Sequence, residues 1–351
     1  MKSRSLRYVP QVFVDVSGLS RDEWLDYRRQ GIGGSDAASI LGISPFRTAR
    51  DIYYDKLNIA PGIESEENWV ALKIGHLLED LVGEIFAVKT GLQIFKIKKM
   101  FQHPLYPYML ADIDFFVILP NGKIAILEIK TTNYHAKDNW WRDGQEIVPE
   151  YYEAQGRHYM AVMNVDEVYF CCLYGNTEDE VMIRHLSRDI AYEEELIHAE
   201  GVFWKEHVMK KVPPPYTEDA GQIMASLKRY TGMAKEGGPV IQLSGNSRDC
   251  FAKYLDLQAR SIQVETKSKA YKEEMDRLKA MIVAEMGQSC EASCEIDGTS
   301  YTITYNPVRK VEIKKAQLTS LAAMYPEVYA QFATQSEYRR FNIKANKPEA
   351  A

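Results

Sequence analysis

The stretch from Met109 to Lys130, MLADIDFFVILPNGKIAILEIK, constrains the chain most. Two apolar runs flank Pro120-Asn121-Gly122, the pattern of a β-hairpin. Side chains alternate along a strand, so Asp112 and Asp114 are expected on one face of the first run. On the second run Glu128 and Lys130 share a face, while Leu127 and Ile129 point the opposite way into apolar packing. Such a hairpin holds carboxylates and one ammonium side by side on a buried sheet. Burying ionisable groups is costly unless they are paired or bind a metal. A carboxylate pair with a lysine on adjacent strands suits a divalent-metal phosphodiesterase.

The surrounding pattern alternates helix and strand. Ser20 with Glu23 three residues on makes a capping box for a helix ending near Gly31. GIGGSDAASILG (31–42) follows, a Gly-rich turn into an apolar helix. Such a turn can meet an anion, and equally it can be a loop with a Ser/Asp cap. Residues 46–60 and Asn68–Gly91 read as helices. On the second, Leu72, Gly75, Glu79 and Val82/Gly83 form one stripe, so Glu79 is either a surface ion-pair residue or a ligand facing the hairpin. Strands are expected at Leu92–Met100, Met109–Leu119 and Lys123–Thr131. The polar, aromatic loop 132–148 carries Lys137, Trp140, Trp141 and Arg142. Its tryptophans either stack on bases or cover the core. Pro149 opens a helix with Tyr152, Gln155 and Tyr159 on one face. Strands Glu167–Leu173 and Val181–His185 and a helix Asp189–Lys211 complete a compact α/β unit with a mixed sheet.

The Pro-rich segment 212–216 marks the expected boundary between residues 1–211 and an extension, 212–351. In the extension, positions 254, 257, 261, 264, 268, 271, 275, 278 and 282 alternate by three and four on a long helix (about 249–286, by its periodicity). A small hairpin (Ser300–Tyr305 with Val308–Ile313) and terminal helices are expected after it. Residues 1–210 carry a net charge of −9 and residues 211–351 carry +3, within a total of −6. A protein that coats DNA generally is therefore disfavoured, and any nucleic acid would be met by local patches. No apolar run is long enough to span a membrane. MKSRSLRYVPQVFV lacks the apolar core of a secretory signal. The five cysteines (Cys171, Cys172, Cys250, Cys290 and Cys294) form no paired framework, so a cytoplasmic location with reduced thiols is expected.

The ordered set resembles the PD-(D/E)-x-K nuclease superfamily, and within it the lambda-type phage exonucleases, or YqaJ-like viral recombinase family. The likeness covers roughly residues 20–210. It rests on W-x-x-x-R-R-x-G-I-G-G-S-D (Trp24 to Asp36), G-H-x-x-E (Gly75 to Glu79), A-D-I-D (Ala111 to Asp114), L-E-I-K-T (Leu127 to Thr131) and Y-x-x-Q (Tyr152 to Gln155). The Pro-Asp of the superfamily's name is Ile113-Asp114 here. The resemblance implies a restriction-endonuclease-like α/β core, with Asp114 and Glu128 holding Mg²⁺ (Mn²⁺ substituting). Glu79 would supplement them, and Asp112 is the alternative ligand. It implies Lys130 as the residue that positions or activates the attacking water, and Gln155 as an orienting residue. Arg29 and Ser35 would bind a terminal 5′-phosphate, with Arg28 the competing choice. The DNA-contact set on this reading adds Lys137, Trp140 and Tyr152. The implied activity is Mg²⁺-dependent resection of double-stranded DNA ends, 5′ to 3′, leaving a 3′ overhang. The implied partners are a single-strand annealing protein and further copies of the chain in a ring. Readings kept beside it are an endonuclease of the same superfamily and a non-catalytic DNA-binding scaffold.

Overall fold

A computed structural model describes residues 8–59, 69–231, 245–286, 291–296, 299–304 and 315–332. The chain divides into two compact units, residues 1–239 and 240–351. In chain order the first holds β1 (Gln11–Asp15), α1 (Arg21–Arg29), β2 (Ile32–Gly33), α2 (Gly34–Ile40), α3 (Ala49–Lys56), α4 (Trp69–Thr90), β3 (Gln93–Phe95), β4 (Lys99–Gln102), β5 (Met109–Asp112), β6 (Phe115–Ile118) and β7 (Ile124–Thr131). It continues with β8 (Trp141–Arg142), β9 (Gln145–Glu146), α5 (Glu150–Met163), β10 (Glu167–Leu173), β11 (Val181–Ser187), α6 (Ile190–Val202) and α7 (Ala220–Thr231).

The main sheet has the order β11-β10-β7-β6-β3 and is mixed: β7 and β10 run parallel, the other neighbours antiparallel. A second sheet has the order β1-β4-β5-β2. This is the mixed α/β core that the sequence pattern implies. β7 is buried over most of its length because helices cover both its faces. Leu127 and Ile129 pack with Val82 and Phe86 of α4, whereas Ile126 packs with Met160 of α5. The alternation therefore sends Glu128 and Lys130 toward α5, as the strand period requires. Gly83 lets α4 approach the sheet: a Cβ there would lie 2.7 Å from the Phe115 ring.

Two expected strands are broken. Leu92–Met100 becomes β3 and β4, and Met109–Leu119 becomes β5 and β6, each pair split between the two sheets. A continuous run can serve both sheets only by leaving one ladder and entering the other, so it bends at the crossing.

The first unit extends past the Pro-rich segment expected to end it. Arg50 of α3 donates to the Pro214 carbonyl at 2.6 and 2.8 Å, and Glu218 accepts from Ala49 N at 2.9 Å. Ser226 of α7 donates to Asp51 at 2.6 Å. The prolines stiffen a connection that folds back onto α3; the units divide later, between Pro239 and Val240.

The second unit holds α8 (Gly245–Met286), β12 (Glu291–Ile296), β13 (Thr299–Thr304), α9 (Lys315–Met324) and α10 (Pro326–Phe332). The long helix is present, and its seam residues Tyr254, Leu257, Val264 and Tyr271 are exposed. The hairpin pairs β12 with β13, one strand earlier than the periodicity suggests. Tyr305 and Val308–Ile313 lie outside the described residues. No helix among the described residues is long and apolar enough to cross a membrane.

Candidate active site

The site is built where the first hairpin strand breaks. Between β5 and β6, Asp114 turns its Oδ2 to accept the backbone N–H of Ile129 in β7 at 2.8 Å. A side chain thus takes a bond from the neighbouring strand, and Asp114 is drawn beside Glu128. Asp112 is held differently: its Oδ2 accepts from the indole N–H of Trp24 at 2.7 Å. The strand expected to carry both aspartates breaks between them, and each finds its own partner. Asp114 is bonded to the β7 backbone, and Asp112 is fixed by α1 while its charge still acts on Glu128.

On β7, Lys130 Nζ donates to Glu128 Oε1 at 2.7 Å and to Gln155 Oε1 of α5 at 3.0 Å. The Gln155 amide donates to the same Glu128 oxygen and lies 3.3 Å from the Tyr159 hydroxyl. Glu128 is 3% exposed, and its second oxygen, Oε2, is buried with no hydrogen-bond partner. An unpartnered buried carboxylate oxygen is costly unless something else meets it.

Burial, then the charges of Glu128 and Glu79, push the Asp114 carboxyl well above the usual range. Burial raises Glu128 too, with the Lys130 ammonium opposing. Burial also raises Asp112, against the Trp24 hydrogen bond. Burial works against the charge on Lys130, but Glu128 and Asp114 outweigh it and keep the ammonium protonated. Like charges held close in a desolvated place favour neutral forms. A cation there would relieve both the repulsion and the orphaned oxygen. Asp114 and Glu128 are the residues able to hold a hard ion, because such ions take carboxylate oxygens and keep waters for their remaining positions. Among the described residues, no three carboxylate, histidine or cysteine side chains already stand at metal-holding spacing. Glu79 forms an ion pair with Lys96 at 2.6 Å, which Asp80 shares at 2.6 Å. It lines the same cleft, whose volume is about 1700 Å³.

The Gly-rich turn is organised by an ion network. Arg28 Nη2 donates to Ser35 Oγ at 2.6 Å and to Asp36 at 2.8 Å. Arg29, favoured from sequence, lies elsewhere, 2.9 Å from Asp26 and 3.7 Å from Asp55. Both arginines come within reach of Asp55, Arg28 at 3.8 Å, and it is Arg28 that meets the serine. Asp36 is buried and also pairs with the fully buried Lys56 at 2.7 Å. Although burial opposes it, Arg28 and Lys56 hold the Asp36 carboxyl far below the ordinary range.

Of the remaining residues expected to contact DNA, Trp140 is 1% exposed and packs in the main core, so it is not a stacking surface. Its apolar neighbours claim it, whereas Trp141 is 37% exposed and carries the Arg184 guanidinium over its ring at 4.9 Å. Lys137 sits over Tyr134 at 3.8 Å. Tyr152 lies under Lys130, 4.8 Å from the ammonium, and burial pushes its hydroxyl up to about 12.

Sequence reasoning missed Lys56, Asp36 and a role for Trp24. Lys56 carried a signal: it lies four residues after Ile52, on the buried face of α3. Trp24 and Asp36 bound the W-to-D motif itself, but their partners are distant in sequence.

Residues 23–166 match the family model described as the YqaJ-like viral recombinase domain. Over 339 residues the chain is 31% identical to the "Uncharacterized protein YqaJ" of Bacillus subtilis (strain 168), spanning 95% of this chain and 97% of that protein. Among solved structures it is similar to an alkaline exonuclease, LHK-Exo, of Laribacter hongkongensis (18% identity, TM-score 0.44, 54% of this chain and 94% of that one). It is also similar to a phage-related exonuclease of Haemophilus somnus 129PT (14% identity, TM-score 0.39, 52% and 96%).

Proposed function

The chain belongs to the YqaJ-like viral recombinase family, and from that premise we propose that it is a Mg²⁺-dependent DNA exonuclease that resects duplex ends 5′ to 3′, leaving a 3′ overhang. The observation that carries the reading is the buried Asp114–Glu128–Lys130–Gln155 group with its unpartnered Glu128 oxygen. Asp114 and Glu128 are the proposed holders of the ion. Bound there, a divalent cation supplies neutralising charge at the scissile phosphate and makes a water more acidic. Lys130, kept charged by its neighbours and bonded to Glu128, offsets negative charge growing on phosphoryl oxygens. Gln155 fixes the rotamers of both Glu128 and Lys130 by touching each. Tyr152 shields the lysine from water on one side. Arg28 and Ser35 are the proposed contacts to a terminal 5′-phosphate, since a guanidinium beside a hydroxyl matches a phosphate's acceptors. A single-strand annealing protein as partner and assembly with further copies of the chain belong to the same proposal, as does action inside a cell's cytoplasm.

The test is digestion of end-labelled linear duplex bearing 5′-phosphate or 5′-hydroxyl, with closed circular DNA as control and with or without Mg²⁺. Nucleotide release from linear DNA is expected only with the ion, and Glu128→Gln and Lys130→Ala should each abolish it. Undiminished release by both variants would overturn the site. Cutting of closed circles would replace the exonuclease with an endonuclease.

A further inference from the structure

The chain continues beyond the family-matched residues 23–166, and part of that continuation returns to the cleft. Helix α7 is fastened to α3 and its approach by several bonds. Ser226 Oγ donates to Asp51 Oδ1 at 2.6 Å, and Gln222 Nε2 donates to the Ser44 carbonyl at 3.0 Å. The Tyr230 ring lies against Tyr54 with centroids 4.4 Å apart. This places Arg229 and Tyr230 on the cleft wall beside Phe46 and Arg47, in the cavity that also holds Asp114, Glu128 and Lys130.

Arg229 Nη1 pairs with Asp51 Oδ2 at 3.1 Å, and the arginine side chain is 27% exposed. The bland reading makes this ion pair one more fastener for α7. Two observations weigh against it. Asp51 is 2% exposed and is already met by the Thr48 N–H at 2.9 Å and the Ser226 hydroxyl, so its charge is stabilised without Arg229. A guanidinium also presents five donors in a rigid fork, and the pair with Asp51 anchors one end of it. An anchored, part-exposed guanidinium on the wall of a cleft is preorganised for a phosphate.

We propose that Arg229 contacts the phosphate backbone of duplex DNA lying in the cleft, so that the segment following the Pro-rich turn lengthens the DNA-binding track beyond the nuclease core. This rests on the nuclease reading above. Asp51 acts as a positioning residue that holds the guanidinium at the wall.

The experiment is a salt titration of binding, using the full-length protein and a linear 5′-hydroxyl duplex in chelator, so that nothing is hydrolysed. Each phosphate contact contributes about 0.9 to the slope of log affinity against log salt. Arg229→Gln should lower the slope by about that amount and weaken binding most at low salt. Arg229→Lys should keep the slope, and Ser226→Ala, which loosens the same anchor without removing charge, should keep it as well. An unchanged slope in Arg229→Gln, or an equal slope change in Ser226→Ala, would overturn the contact while leaving the nuclease reading intact. If the wild-type protein binds no duplex at all, both fall together.

Discussion

Gly34 opens helix α2 within the Gly-rich turn, and a Cβ there would stand 2.5 Å from Cε1 and 2.8 Å from Cζ of Tyr159. Carbon atoms in contact sit about 3.5 Å apart or more, so Gly34→Ala must move the ring or α5 by ~1 Å. The ring is buried, so the displacement cannot be absorbed by solvent. Two energies compete. Alanine is favoured over glycine in a helix by at most about 1 kcal/mol, whereas overpacking a close contact costs about 1–3 kcal/mol. The steric cost wins, and a net loss of ~1–2 kcal/mol is expected in a urea melt. The functional loss should be larger than that. Tyr159 lies at hydrogen-bond distance from Gln155, which touches both Glu128 and Lys130. A shift of ~1 Å at a positioned group can cost about 100-fold in turnover. Single-turnover digestion of linear duplex measures it. Gly34→Ala combined with Tyr159→Leu should recover stability, since the ring is gone, without recovering turnover. A Gly34→Ala protein with wild-type stability and rate would refute the coupling between the turn and the catalytic group.

Arg28→Ala should erase the preference for 5′-phosphate over 5′-hydroxyl ends, and Arg29→Ala should leave it largely in place; rates on the two substrates for both variants decide this, and the reverse pattern would return the role to Arg29. Because Asp114 is raised above its unfolded value, its contribution to stability is fully present below that value and is lost as pH climbs through the folded one. In chelator, Asp114→Asn should therefore gain stability relative to wild type as pH rises above the ordinary carboxylate range, and Mg²⁺ should raise the melting temperature of wild type only; superimposable melts of the two proteins as pH rises would count against the repulsion. Asp36 has the opposite sign: its depressed value contributes stability above the unfolded range that is lost as pH falls, so Lys56→Met should destabilise the protein by about 3–5 kcal/mol near neutrality and by less in acid. Trp140→Ala should cost about 3–5 kcal/mol in a denaturant melt, and Trp141→Ala far less, because only the first ring is enclosed.

The amino-acid sequence by itself determined much of this protein. Strand alternation put Glu128 and Lys130 on one face of β7, and helix periodicity put Gln155 and Tyr159 on one face of α5. The capping box at Ser20 and Glu23 and the proline at the start of α5 fixed helix starts. These are local rules, carried by residues a few positions apart. The tertiary structure decided whatever depends on partners far along the chain. It gave Asp112 and Asp114 different partners, because the strand changes sheets between them and Trp24 lies 88 residues from the aspartate it binds. It set Arg28 against Ser35 and Arg29 against Asp26, partners that two adjacent helical residues do not announce. It buried Trp140 and left Trp141 out, a choice made by the core that surrounds them. It also carried α7 back to the cleft of Asp114 and Glu128 through Asp51, across 175 residues of sequence, where composition marked only a boundary.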